Sequence, residues 1–235
     1  MSEQDFVVQC RGLERTYHDD GVPVHALAGV DFDVEQGDFV SLAGPSGSGK
    51  STLLNCIGGL DRATAGSVTV GGVDLASLSS SELAELRLRR VGFVFQSYNL
   101  IPVLSARENV EFIMQLQGIA AAERHRDAMA MLESLGIGEL ADRRPGELSG
   151  GQQQRVAVAR AIVSKPVLLL ADEPSANLDS HTTAELLQLL ADINRQRGMT
   201  IITATHDPAV MAFARRRIGL QDGLIVSDQR DEAAG

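Results

Sequence analysis

The spacing of apolar residues changes character along the chain, and each change predicts a different kind of element. Between Phe6 and Val40 the runs are short and β-rich. Val7-Val8-Gln9-Cys10 reads as a strand, and Gly29-Val30-Asp31-Phe32-Asp33-Val34 alternates apolar and polar with a period of two. Asp38-Phe39-Val40-Ser41-Leu42-Ala43 reads as a buried strand that opens directly into a glycine-rich turn, with a helix expected from Ser51 to Leu60. Gly66 to Gly72 reads as part of a hairpin. Between about Ser80 and Lys165 the pattern turns mostly helical, and Ala120 to Leu135 is amphipathic with charges on one face. An apolar strand (Val167 to Ala171), a helix (about Thr182 to Arg197), a strand (Thr200 to Ala204), another helix and a closing strand pair around Gly219 to Val226 complete the order. Strands alternating with helices predict an α/β sheet, and the helical stretch in the middle reads as an insertion.

Composition narrows the class. The 235 residues suffice for one large or two small domains, and 44% hydrophobic content supports a substantial core. No apolar run is long enough to span a bilayer, so no direct membrane insertion is expected. Met1-Ser2-Glu3-Gln4-Asp5 lacks the regions of a signal peptide, and residues 231–235 read as a frayed tail. Cys10 and Cys56, far apart in sequence, fit a reducing compartment and read as small buried hydrophobes. A net charge of −10 argues against a broad nucleic-acid surface. A local anion site needs only backbone amides and one cation. Lys50 and Lys165 are the only lysines, and Lys50 lies in the most informative segment.

That segment, Gly44-Pro45-Ser46-Gly47-Ser48-Gly49-Lys50-Ser51, fits G-x-x-x-x-G-K-[ST] between a predicted strand and a predicted helix. Glycines let successive N–H groups turn inward at a phosphate, and the helix start, including Thr52, adds a favourable dipole. Lys50 is expected to reach the β- and γ-phosphates of ATP, and the Ser51 hydroxyl to ligate Mg²⁺. Downstream, Val167-Leu168-Leu169-Leu170-Ala171 leads into Asp172-Glu173. Ligands gather at the carboxyl ends of parallel strands. Asp172 is therefore expected to meet Mg²⁺, through water, and Glu173 to face the water that attacks the γ-phosphate.

Leu148-Ser149-Gly150-Gly151-Gln152 precedes a helical run to Val163, with Ser149 fitting an N-cap and the glycines leaving amides free at a helix start. These five residues match the signature motif of ABC ATPases without a substitution, and the chain resembles that family along nearly its whole length. The resemblance implies further roles. Tyr17 is similar to the aromatic that stacks on adenine. Gln96 resembles the glutamine linking Mg²⁺ to the transmembrane partner, and Asp179 in Ser175-Ala176-Asn177-Leu178-Asp179 lies in a D-loop that crosses a dimer interface. His206 resembles the switch histidine at the γ-phosphate. The implied fold is a P-loop NTPase (RecA-like) core, about 1–95 and 165–235, with an N-terminal antiparallel β subdomain and a helical signature subdomain at about 96–164. All of it forms one nucleotide-binding domain, 1–235.

One phosphate loop and one signature per chain leave a complete site to a second protomer, and the resemblance implies a head-to-tail homodimer with two shared ATP sites. The short distance from Lys50 to Leu148 leaves no room for the long coiled coils of chromosome ATPases. The expected machine is a minimal cassette at the inner face of the cell membrane, driving a separate integral membrane permease. Ile57-Gly58-Gly59-Leu60-Asp61, the Gly92 to Pro102 stretch, Asn177 to Ser180 and Thr205-His206-Asp207-Pro208 resemble the lipoprotein-release and macrolide-export group, whose permeases are of the cell-division-protein type. Amino-acid importer ATPases share some of these residues. That importer type and a soluble ABC ATPase working without a permease are the alternatives. Residues 98–109 are expected in the groove that receives the permease, although Leu100, Ile101, Val103 and Leu104 read equally as local core.

Overall fold

The structure, a computed structural model, describes residues 6–19 and 22–231. The readings made on residues 1–5 and on 232–235 of the tail lie outside the described residues.

These residues form two sheets. The first is antiparallel, with order β2-β1-β4-β5 from β1 (Phe6–Asp19), β2 (Val22–Glu35), β4 (Ala65–Val70) and β5 (Val73–Asp74). The alternation read in 29–34 is its cause: Val30, Phe32 and Val34 are buried while Asp31 is exposed. Gly71 and Gly72, both at positive φ, supply the two-residue turn between β4 and β5.

The second sheet has order β10-β9-β3-β8-β7-β6. In it β3 (Phe39–Ala43), β6 (Val91–Phe95), β7 (Leu168–Asp172), β8 (Thr200–Thr205) and β9 (Arg216–Gln221) are parallel, and β10 (Leu224–Arg230) closes one edge antiparallel to β9. Its central strands are buried on both faces. Leu168 and Leu170 join one apolar cluster with Val40, Leu42 and Ile202, while Leu169 and Ala171 join another with Phe39, Val94 and Ile201. A continuous apolar run is what such a strand requires.

The first cluster lies between the two sheets and takes Leu53, Leu54 and Ile57 from α1 (Lys50–Ile57). The second is built from α3 (Ala106–Leu116), α4 (Ala121–Ser134), α5 (Gly150–Ile162) and α6 (Ser180–Arg197), through Val110, Met114, Leu132, Val156, Ile162 and Leu190. Two further helices, α2 (Ser80–Arg90) and α7 (Pro208–Phe213), complete the described elements. Ser79, Ser105 and Ser149 start α2, α3 and α5 with reciprocal capping boxes to Glu82, Glu108 and Gln152.

The stretch after Ser80 is mostly helical, as read, and it also contains β6. Val91-Gly92-Phe93-Val94-Phe95 is β-rich but too short to show a period against the helices around it. Gly92 also permits a close approach to α5: a Cβ there would stand 2.3 Å from the Ala161 carbonyl oxygen. Cys10 and Cys56 are free and buried, as read, and burial pushes the Cys56 thiol up to about 12.

Arg216 joins the two sheets. Its guanidinium forks onto Asp228 at 2.9 and 2.7 Å and donates to the Asp33 carbonyl at 2.6 Å. That hydrogen bond holds the Asp228 carboxyl below its ordinary range. A depressed folded pKa stabilises above the unfolded value of about 3.9 and loses that contribution as pH falls through the folded value. Asp228→Asn is therefore expected to cost about 1 kcal/mol at pH 7. In urea melts at stepped pH, the gap from the parent protein should close as pH falls below about 4.

Candidate functional site

The loop from β3 into α1 is shaped by two close approaches. A Cβ on Gly44 (φ 155) would sit 2.1 Å from the Leu220 carbonyl oxygen, and one on Gly49 (φ 103) 2.5 Å from that of Ala26. Only glycine fits either place. No side chain caps α1, so its first amides remain available to an anion. Lys50, 8% exposed, donates from Nζ to the Gly44 and Pro45 carbonyls at 2.8 and 2.9 Å. The loop thus holds its own cation folded across its rim.

A cleft of about 640 Å³ opens over this loop at the carboxyl ends of the parallel strands. Ser46, Gly47, Gly49, Lys50, Ser51 and Thr52 form its floor. Ala26 of β2, Gln96 after β6, Glu173 and Ala176 after β7, and His206 after β8 form its walls. The Ser51 hydroxyl donates to Asp172 Oδ1 at 3.0 Å. Burial pushes the Asp172 carboxyl above its ordinary range, with the Ser51 hydrogen bond opposing and the neighbouring Glu173 charge adding to the rise.

Glu173 leaves β7 in the left-handed region, at φ 48, and its amide donates to the Ala204 carbonyl at 2.9 Å. This uncommon conformation for a non-glycine residue aims the side chain at His206, whose Nδ1 lies 2.8 Å from Glu173 Oε1. Gln96 is fixed by its backbone: its carbonyl accepts from Asn177 Nδ2 at 2.9 Å. Tyr98 and Asn99, both at positive φ, present their carbonyls to Arg160 of α5 at 2.9 and 2.6 Å. The Tyr98 hydroxyl also faces Gly150, where a Cβ would come within 3.0 Å of it. Arg160 escaped the sequence reading. Its signal was present as the lone charge in the apolar run 156–163.

Other expected residues are not among those that line the cleft. Ser149 Oγ accepts from the Gln152 amide at 3.3 Å, and Gln152 Oε1 accepts from the Ser149 amide at 2.9 Å. Gly150 and Gly151 begin α5 there, and none of the four lines the cleft. Asp179 caps α6, accepting from the His181 and Thr182 amides at 3.0 Å each. Tyr17 donates to Asp61 Oδ2 at 2.5 Å, and the Arg15 guanidinium covers one face of its ring at 4.4 Å.

Residues 27–176 match the family model described as ABC transporter. The chain belongs to that family. It is 47% identical over 94% of its length to a macrolide export ATP-binding/permease protein, MacB, of Marinobacter nauticus, covering 34% of that protein. It is 48% identical over 96% of its length to a pyoverdine export ATP-binding/permease protein, PvdT, of Pseudomonas aeruginosa, again covering 34%. The chain thus spans about a third of the length of these curated relatives. Among solved structures, the dimeric post-hydrolysis state of the ATP-binding cassette MJ0796 bound to ADP and Pi matches at 40% identity and a TM-score of 0.89, covering 95% of this chain and 98% of that one. The fold is that of an ABC ATPase cassette, with an antiparallel β part and a helical part beside the parallel sheet.

The Asp172 environment sets a test. A carboxyl whose folded pKa is raised costs stability while ionised, and the cost vanishes below the unfolded value of about 3.9. Asp172→Asn is expected to raise the urea midpoint of the ligand-free protein at pH 7, with the gain fading in acid. ATP turnover in the same variant should fall about a hundredfold.

Proposed function

We propose that this chain is the ATP-binding and ATP-hydrolysing cassette of a membrane exporter, working as a head-to-tail pair around two shared ATP sites. The carrying observation is the division of the site. The phosphate loop, Asp172, Glu173 and His206 converge on one cleft, while the Ser149 helix start faces elsewhere on the same chain. A second copy supplies the missing wall.

Within the cleft, the amides of the loop and α1 take the phosphates, and Lys50 exchanges its two loop carbonyls for β- and γ-oxygens. Ser51 and Asp172, with Gln96 at the wall, form an all-oxygen donor set suited to Mg²⁺. Bound there, Mg²⁺ would neutralise phosphate charge. Glu173 orients and deprotonates the attacking water. With a proton on His206 Nδ1 donated to Glu173, the imidazole would also donate to the γ-phosphate only when both ring nitrogens carry a proton. Stacking of Tyr17 on adenine would use the ring face that Arg15 leaves open. Asp179 holds the D-loop at the dimer seam.

The chain reads as one nucleotide-binding domain with 96–164 as its helical part. No helix among the described residues is long and apolar enough to cross a membrane. An integral permease is the proposed partner, holding the cassette at the inner face of the membrane. The names of the curated relatives favour export over import. Residues 98–109 suit the permease groove: Val103 is 72% exposed, while Leu100 packs against the core.

Glu173→Gln is expected to slow turnover at least about a hundredfold and to trap a dimer in saturating ATP and Mg²⁺. Light scattering should find that dimer, and adding Lys50→Ala should abolish it. A Glu173→Gln protein that stays monomeric under these conditions overturns the shared-site reading.

A further inference from the structure

At the opposite end of the parallel sheet from the phosphate loop lies a cleft of about 780 Å³. It opens where the strands begin, between the start of β1, the inner side of α4 and the turns that lead into β7 and β8. Its apolar lining includes Phe6, Val7, Met131, Val163, Val167 and Met199. Arg90, Lys165 and Arg197 also line it, with Asp127 as the single carboxylate.

All three cations are exposed. Among the described residues none of them forms a salt bridge. Among the described residues Arg90 gives one bond to the Gly71 carbonyl at 3.0 Å, and Arg197 gives one to the Met131 sulfur at 4.0 Å. Asp127 is engaged by Arg126 at 2.9 Å. Lys165 makes no side-chain hydrogen bond and sits at φ 53, where its amide donates to the Ile162 carbonyl at 2.9 Å. A tight turn thus presents one of the chain's two lysines at this rim. In a protein of net charge −10, three exposed cations with no ion pair among the described residues, around one cleft of largely apolar lining, run against the overall balance.

We infer that this cleft binds a small amphipathic anion, a carboxylate, sulfonate or phosphate head on an apolar body. An inorganic anion would leave the apolar lining wet, and a neutral apolar molecule would leave the three exposed cations without a counter-charge. A molecule carrying both parts meets both needs. The volume falls within the roughly 300–1,000 Å³ usual for such ligands, and seams between structural units are common places for them. A ligand here would touch α4 and the turn at the end of α5, so it would brace the helical part against the sheet. The α5 helix begins at Ser149, and this gives the cleft a route to the ATPase site without overlapping it. The inference stands apart from the transport reading.

The test uses the full chain with the fluorescent sulfonate 8-anilinonaphthalene-1-sulfonate as probe. One-to-one binding is expected, displaced by decanoate and unaffected by decanol, decyltrimethylammonium or saturating ATP with Mg²⁺. Lys165→Ala with Arg197→Ala should weaken the probe at least tenfold, and Lys165→Arg with Arg197→Lys should stay within threefold of the parent. Hydrogen exchange on the unaltered protein should slow at 127–134 and 163–167 when decanoate is added. Equal affinity in the double alanine variant, displacement by decanol or by ATP, or binding only to anionic phosphatidylglycerol vesicles would each overturn the assignment.

Discussion

Burial of β3, β7 and β8 on both faces is the constraint from which the rest of the molecule follows. A strand wrapped by apolar clusters on each side has no room for charged side chains along its length, and β3 and β8 admit only the small hydroxyls of Ser41, Thr200, Thr203 and Thr205. Charged groups are pushed out to the strand ends. Because the strands are parallel, their carboxyl ends lie together, and the loop after β3, Asp172 and Glu173 after β7, and His206 after β8 meet without any long-range pairing of their own. The two clusters divide the strand residues alternately, so Leu169 and Leu170 face different partners. A slip of one residue in β7 would exchange those partners and displace Asp172 from Ser51. Register and chemistry are therefore held by the same packing.

Two groups of the site carry local cost: burial disfavours the Asp172 carboxylate, and Glu173 adopts a backbone region that side chains avoid. Lys50 is held by two carbonyls of its own loop. In the proposed complex a cation would offset the cost at Asp172, and phosphate oxygens would replace the carbonyls at Lys50. Binding energy is then directed at groups already in position, which is the purpose of preorganisation. Arg160 and Asn177 serve the same end from outside: they hold the backbone around Gln96 between α5 and the loop after β7.

The sequence made much of this legible because the decisive features are local. The glycine loop, the apolar run into Asp172-Glu173 and the Ser149 cap each show their physics within about eight residues. β6 was hidden for the opposite reason. Five residues between helices show no period, and only the approach of Gly92 to α5 explains why the chain is extended there. Arg160 was visible as a charge among apolar residues, yet its partners lie sixty residues upstream and no spacing rule connects them. The hydrogen bond from Tyr17 to Asp61 is likewise a long-range contact.

The Ser149 helix start carries the last step. Its capping box looks self-satisfied, which would make it a poor site for anything else. The direction of each bond says otherwise. Ser149 Oγ accepts from Gln152 and so keeps its own O–H proton free, and Gln152 Oε1 accepts from Ser149 and so keeps its NH₂ group free. The first amides of α5, at Gly150 and Gly151, have no carbonyl of the preceding turn to meet. The motif thus spends acceptors on itself and retains donors. A cluster of donors with no acceptor suits an anion brought from outside, and the cleft of a second copy, with phosphates over its Lys50, would bring one.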